Sequence, residues 1–191
     1  MTRRRISLIV GAALVSGLVF LLVQRTGRDG PPPVIDLVAL FPDAEKRTTL
    51  DSLTEAFAVV DVSLEGHRRR AIFAHPTSRI TWAVDVPSNA VLRTDAGMRM
   101  ESWVGEGDGA TFRVGVGDGT TYREYFERIL DPYHRPEDRG WIPIEVDLAP
   151  YAGRRVTIVF NTGPGPWDNA VRDAAVWGAP RIEQRPAAGT P

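Results

Sequence analysis

The 191-residue chain has no cysteine. That excludes a disulfide framework, a thiolate metal site, a cysteine nucleophile and a lipid-modified N-terminal cysteine. Histidine is scarce: His67, His75 and His134 lie far apart, and none has a second ligand at metal spacing. His75, just ahead of Pro76, reads as a turn residue. No G-x-S-x-G nucleophile elbow occurs. Lys46 is the only lysine, so the cations are nearly all arginine, a bias that points to GC-rich coding rather than to a function. A net charge of −1 supplies no bulk basic field, so nucleic acid is not an expected partner. Acidic residues are plentiful, and counting alone does not remove a carboxylate pair for glycoside hydrolysis. Most of them fall in turns or on outer strand faces, where a solvated surface explains them. The expectation is a chain that is not an enzyme.

What is present starts at the N-terminus. Arg3, Arg4 and Arg5 precede ISLIVGAALVSGLVFLLV, residues 6–23, eighteen residues without a charge. As a helix this run spans about 27 Å, close to the ~30 Å hydrocarbon core. The basic cluster should stay cytoplasmic and put the rest of the chain outside. A cleaved signal peptide is the rival reading, but its apolar region is usually shorter and ends at a small-x-small site. Here QRTGRDG follows. The expected organisation is a cytoplasmic end (1–5), a transmembrane signal anchor (6–23), a linker stiffened by prolines (24–33), one domain (34–182) and a flexible tail (183–191). This describes a bacterial single-pass protein of the cytoplasmic membrane with its domain in the periplasm or outside the cell.

Within the domain the period is two. AFAVVDVSL (56–64) and RAIFAH (70–75) are β-rich, with EGHRR as the turn between them. Ile80, Trp82, Val84 and Val86 share one face of RITWAVDV before Pro87 ends it. Phe112, Val114 and Val116 line up in TFRVGV, and GDG (117–119) turns the chain into 120–130. IPIEVDL (142–148) and RVTIVF (155–160) alternate in the same way. VIDLVALF (34–41) reads as a first strand, and 43–57 as irregular with one helical turn. The stretch RDAAVWGAPRI (172–182) reads as the closing strand. Trp177 should fill the core there, while Gly178 and Pro180 stop the ladder. Short alternating strands between Gly/Pro/Asp turns predict an all-β, antiparallel two-sheet sandwich.

Four phrases in order carry a family likeness: HPTSRITWAVDVP (75–87), GDGATFRVGV (107–116), RGWIPIEVDLAPYAGRRVTIVFNT (139–162) and DAAVWGAPRI (173–182). Together they resemble galactose-binding-like jelly-roll domains, the β-sandwiches that include many carbohydrate-binding modules. The likeness covers roughly residues 56–182 and rests on turns and core strands. It implies a non-catalytic binding module, with glycan as the leading ligand and an envelope protein as the alternative partner. Such sugar binders often carry a structural calcium ion. Asp108 and Asp118, in Gly-Asp-Gly repeats ten residues apart, could offer oxygens to one. Calcium takes six to eight oxygens, though, and two aspartates in separate turns do not supply them. Hairpin turns explain both repeats, and no cofactor is required.

If the strands after residue 110 alternate in direction, the connections 131–141 and 161–171 share one end with the entering segment 101–110. GDG and APYAG (149–153) then share the other. The first end collects Trp103, Tyr133, His134, Arg135, Trp167, Asp168 and Asn169. Aromatic faces beside amide, carboxylate and guanidinium groups suit sugar: C–H faces stack on rings while hydroxyls take planar polar partners. Trp103 and Trp141 could instead plug the open end of the core, the preferred reading for Trp141.

Overall fold

A computed structural model of the protein describes residues 35–185. The anchor and linker read from residues 6–33 lie outside the described residues. Among the described residues, no helix is long and apolar enough to cross a membrane.

Eleven strands build two antiparallel sheets. They are β1 (Ile35–Asp36), β2 (Glu45–Thr48), β3 (Phe57–Leu64), β4 (His67–Ala74), β5 (Ser78–Asp85), β6 (Ala90–Met98), β7 (Ala110–Gly117), β8 (Tyr122–Leu130), β9 (Ile142–Asp147), β10 (Arg155–Pro164) and β11 (Ala175–Gln184). One sheet runs β3-β4-β11-β6-β9, with β1 also on β11; the other runs β2-β5-β10-β7-β8. A single helical turn, α1 (Leu53–Ala56), precedes β3. The expected antiparallel sandwich is what forms.

The alternation that predicted the strands is what fills the space between the sheets. Ile80, Trp82 and Val84 of β5 point inward with Phe112, Val114 and Val116 of β7 and Val156, Ile158 and Phe160 of β10. Trp177 closes this core and is fully buried. Its ring meets Phe112 edge-on at 5.0 Å and tilts against Phe160 at 4.5 Å. Its indole N–H donates to Thr162 Oγ1 at 3.0 Å, so burial leaves no polar orphan.

Several local readings change. Gly178 and Pro180 do not end the last strand. The register slips between Gly178 and Arg181, and pairing with β6 resumes to Gln184, inside the segment read as tail. The irregularity lets β11 exchange one neighbour for another, with β4 opposite Val176–Gly178 and β1 opposite Arg181–Ile182. A bulge serves where a stop was expected. The EGHRR turn tightens to Glu65 and Gly66, both at positive φ, and His67 already belongs to β4. The first strand shortens to two residues. The 43–57 stretch contains the predicted helical turn but also β2, a polar edge strand without apolar alternation. Central β6 had no assignment at all. It is buried on both faces along most of its length, so it lacks a period of two.

A second, smaller cluster sits outside the six-stranded sheet. Val62, Leu64, Ala71 and Val176 are buried there beneath Trp103 and Trp141. These two tryptophans therefore pack on a sheet face and not in the open end of the core.

Candidate functional site

Strand direction decides which loops meet. β8 and β10 both run antiparallel to β7, so they run parallel to one another. Leu130 and Pro164, near their ends, both register with Ala110 at the start of β7. The connections 99–109, 131–141 and 165–174 thus emerge at one end of the sandwich. At the other end, Asp118 of the GDG turn pairs with Arg154 beyond APYAG, and the hydroxyls of Tyr125 and Tyr151 lie 2.8 Å apart.

The shared end is stitched together. The Trp167 backbone N–H donates to Asp108 Oδ2. Arg172 donates to the Val104 carbonyl at 3.3 Å. Asp138, fully buried, takes Arg128 at 2.7 Å, Arg135 at 3.1 Å and the Asp131 N–H at 3.0 Å. Gly109 at φ +81° has no room for a side chain, because an added Cβ would meet the Leu130 carbonyl.

The predicted residues divide by what already holds them. Trp167 leaves 55% of its surface exposed and is fixed through its backbone, so its ring is free. Asp168 beside it is exposed with φ at +53°, and Asn169 turns its Oδ1 onto the Val171 N–H at 3.0 Å. Tyr133 is exposed and stands edge-on to His134 at 4.8 Å. His134 Nδ1 lies 2.9 Å from Asp131 Oδ2. Arg135 is engaged twice, by Asp138 and by the Ile129 carbonyl at 3.0 Å. Trp103 is half-buried: its indole donates to the Met98 carbonyl at 2.9 Å, and Arg139 stacks over its ring at 6.0 Å. Its geometry is that of packing. Trp167, Asp168, Tyr133 and His134 remain as groups with free faces or atoms.

Of the buried acids at this end, Asp108 is a candidate from the sequence and Asp173 is not. Asp108 Oδ1 and Asp173 Oδ2 are buried and lack any hydrogen-bond partner. Burial pushes the Asp173 carboxyl up to about 7, with the charges of Asp108 and Asp131 adding to it. Asp118, paired with Asp108 in the sequence reading, belongs to the opposite end. Its carboxylate accepts from the Thr121 and Thr120 N–H groups and from Arg154, which hold its pKa well below the usual range. The hairpin explanation fits Asp118 and fails for Asp108. A divalent cation at this end would have to draw on these two buried, unpartnered carboxylate oxygens. Among the described residues no three His, Asp or Glu side chains converge at metal spacing. The remaining oxygens would have to be backbone carbonyls and water.

No family model matches the chain. It is 43% identical over 119 residues to an uncharacterized protein of Archaeoglobus fulgidus; the match takes in 59% of this chain and 30% of that protein, so the chain spans under a third of its relative. Among solved structures, the fold is similar to the CBM51 of a GH95 protein from Clostridium perfringens, in complex with methyl-galactose. There the TM-score is 0.50 and the identity 16%, over 78% of this chain and 99% of the module. Tandem CBM51 modules of a family 98 glycoside hydrolase from Streptococcus pneumoniae give 0.53 at 13% identity, covering 96% of this chain and 52% of theirs. A Clostridium perfringens ZmpB structure with an M60 catalytic domain and two CBM51 domains gives 0.55 at 10%, over 81% of this chain and 15% of that one. The chain has the β-sandwich fold of carbohydrate-binding modules.

Proposed function

We propose that this protein is a non-catalytic glycan-binding module, held at the outer side of the cytoplasmic membrane by residues 6–23. The observation that carries the reading is Trp167: an exposed indole, fixed through its backbone, at the end where three loops meet. Asp168 next to it offers acceptors for sugar hydroxyls, and Tyr133 and His134 extend the aromatic surface on the neighbouring loop. A fold shared with a methyl-galactose-bound module supports the class of ligand. Asp108 and Asp173 would hold a calcium ion behind this surface. Bound there, the ion would supply charge neutralisation between the 99–109 and 165–174 connections.

The test is a glycan array probed with the full-length protein in detergent, followed by titration of whichever glycan is retained. Trp167→Ala should weaken binding by about 1–3 kcal/mol, the scale of a lost aromatic anchor, with an unchanged melting temperature. Tyr151→Ala, at the opposite end, should leave affinity alone. Retention of envelope protein with no glycan would replace this reading by a protein-interaction module.

A further inference from the structure

The outer face of the five-stranded sheet holds a groove of about 500 Å³ that lies on a sheet face and not at the loop end. Its floor is a single cross-strand row. Arg47 registers with Arg79, Arg79 with Asn161 and Asn161 with Arg113; Arg113 in turn registers with Glu127, which lies outside the groove's lining. Arg47 is satisfied by Glu45 at 2.6 Å and Arg113 by Glu127 at 2.7 Å. Arg79, between them, pairs with no carboxylate of the described residues. Its Nε donates to Asn161 Oδ1 at 2.7 Å, which orients the guanidinium and leaves its two terminal nitrogens available. Like charges side by side on a sheet are unfavourable, so an uncompensated arginine there favours an anionic occupant.

Beside this row the sheet is hollowed for an aromatic ring. Tyr122 lies down over β7, where a Cβ on Gly115 would collide with its hydroxyl and ring. The ring lines the groove and keeps 53% of its surface exposed. The groove thus places an exposed aromatic face near an oriented, unpaired guanidinium, with Glu124 the only carboxylate against three arginines in its lining. A comparable groove on the six-stranded sheet differs on this point. There Arg69 meets Asp95, Arg93 meets Glu145 and Arg181 meets Glu183, so its charges are already matched.

We propose that this face is a second saccharide-binding site, selective for a carboxylate-bearing sugar. The C–H face of the sugar stacks on Tyr122, and its carboxylate takes the fork of Arg79. The groove is within the size range of small-molecule sites. The site stands apart from the loop end and does not depend on Trp167.

The full-length protein is titrated calorimetrically with a panel of uronate oligomers (galacturonate, glucuronate and mannuronate), with their methyl esters, and with hexaglutamate. At least one uronate should bind, with its ester at least tenfold weaker. Arg79→Gln and Tyr122→Ala should each weaken the acid at least tenfold without lowering the melting temperature, and Trp167→Ala should leave it unchanged. Failure of every uronate to bind overturns the proposal, as do equal affinities for acid and ester, or wild-type affinity in both face variants. Hexaglutamate binding as tightly as the uronate makes the face an acidic-protein site instead. Uronate binding lost in Trp167→Ala but kept in Arg79→Gln moves the acid to the loop end, overturning this site while leaving the loop-end reading intact.

Discussion

Trp141 lies flat against Gly178: a Cβ added to Gly178 would stand 2.7 Å from Cζ3 of the indole. Gly97, on the neighbouring strand, leaves the other half of the slot, with 2.9 Å from its would-be Cβ to Cε3. The indole N–H reaches across to the His67 carbonyl at 2.7 Å. The glycine after Trp177 is thus explained by close approach, with no need for unusual backbone angles. Gly178→Ala should overpack this contact and destabilise by about 1–3 kcal/mol. In a Trp141→Ala background the same change should cost clearly less, and a double-mutant cycle by urea denaturation reads the coupling. Equal costs in both backgrounds would mean that the slot is not what selects glycine.

Trp177→Ala tests the core. The residue is fully buried between Phe112 and Phe160, so its removal should cost about 3–5 kcal/mol, as for other buried aromatics cut back to alanine. Trp177→Phe should cost less but leave Thr162 Oγ1 without its donor, a loss of about 1–3 kcal/mol. A near-neutral alanine variant would contradict the packing described here.

Asp118 offers a separate check on the far end. Its carboxylate is depressed by two backbone donors and Arg154. The folded state therefore prefers it ionised, and the stability it contributes is present above the ordinary aspartate range and lost as pH falls below it. Asp118→Ala should lower the melting temperature at pH 7. It should also narrow the gap between wild type and variant when both are melted near pH 2. An unchanged gap would mean that the turn does not depend on the charge.

The sequence made the sandwich legible where one face of a strand is buried and the other wet. Ile80, Trp82 and Val84 against Arg79, Ala83 and Asp85 are such a case. It concealed β6, buried on both sides, and β2, whose Glu-Lys-Arg-Thr has no apolar face. The Gly-Pro-Gly-Pro and Asp-Asn surroundings of Trp167 leave exposure and burial equally open in the sequence, and the fold exposes it. Asp173 could not be read as buried, because its neighbours in sequence say nothing of the loops that close over it. The Arg79 groove depends on β2 lying beside β5 and β10 beside β7. That lateral order follows from chain topology and leaves no local trace.

Asp173 carries the most direct pH prediction. The residue is 4% exposed, and its carboxyl is raised to about 7 by burial and by the charges of Asp108 and Asp131, against about 3.9 in an unfolded chain. Between those values the folded state holds a proton that the unfolded state has released. Stability should therefore be greatest below about pH 4 as far as this group is concerned, and fall as pH rises to 7. The slope is about 1.4 kcal/mol per pH unit at most, flattening above 7. Asp173→Asn removes the ionisation, so the variant should lose this slope and exceed wild type in stability at pH 8 without added metal. Millimolar calcium should then raise the wild-type melting temperature at pH 8, because a cation binds the ionised carboxylates and only in the folded state. The asparagine variant should respond far less. Denaturation at pH 5 and pH 8, with calcium and with a chelator, separates the two occupants. A calcium response in wild type and not in Asp173→Asn assigns these oxygens to a metal, whereas a pH slope with no calcium response assigns them to a proton.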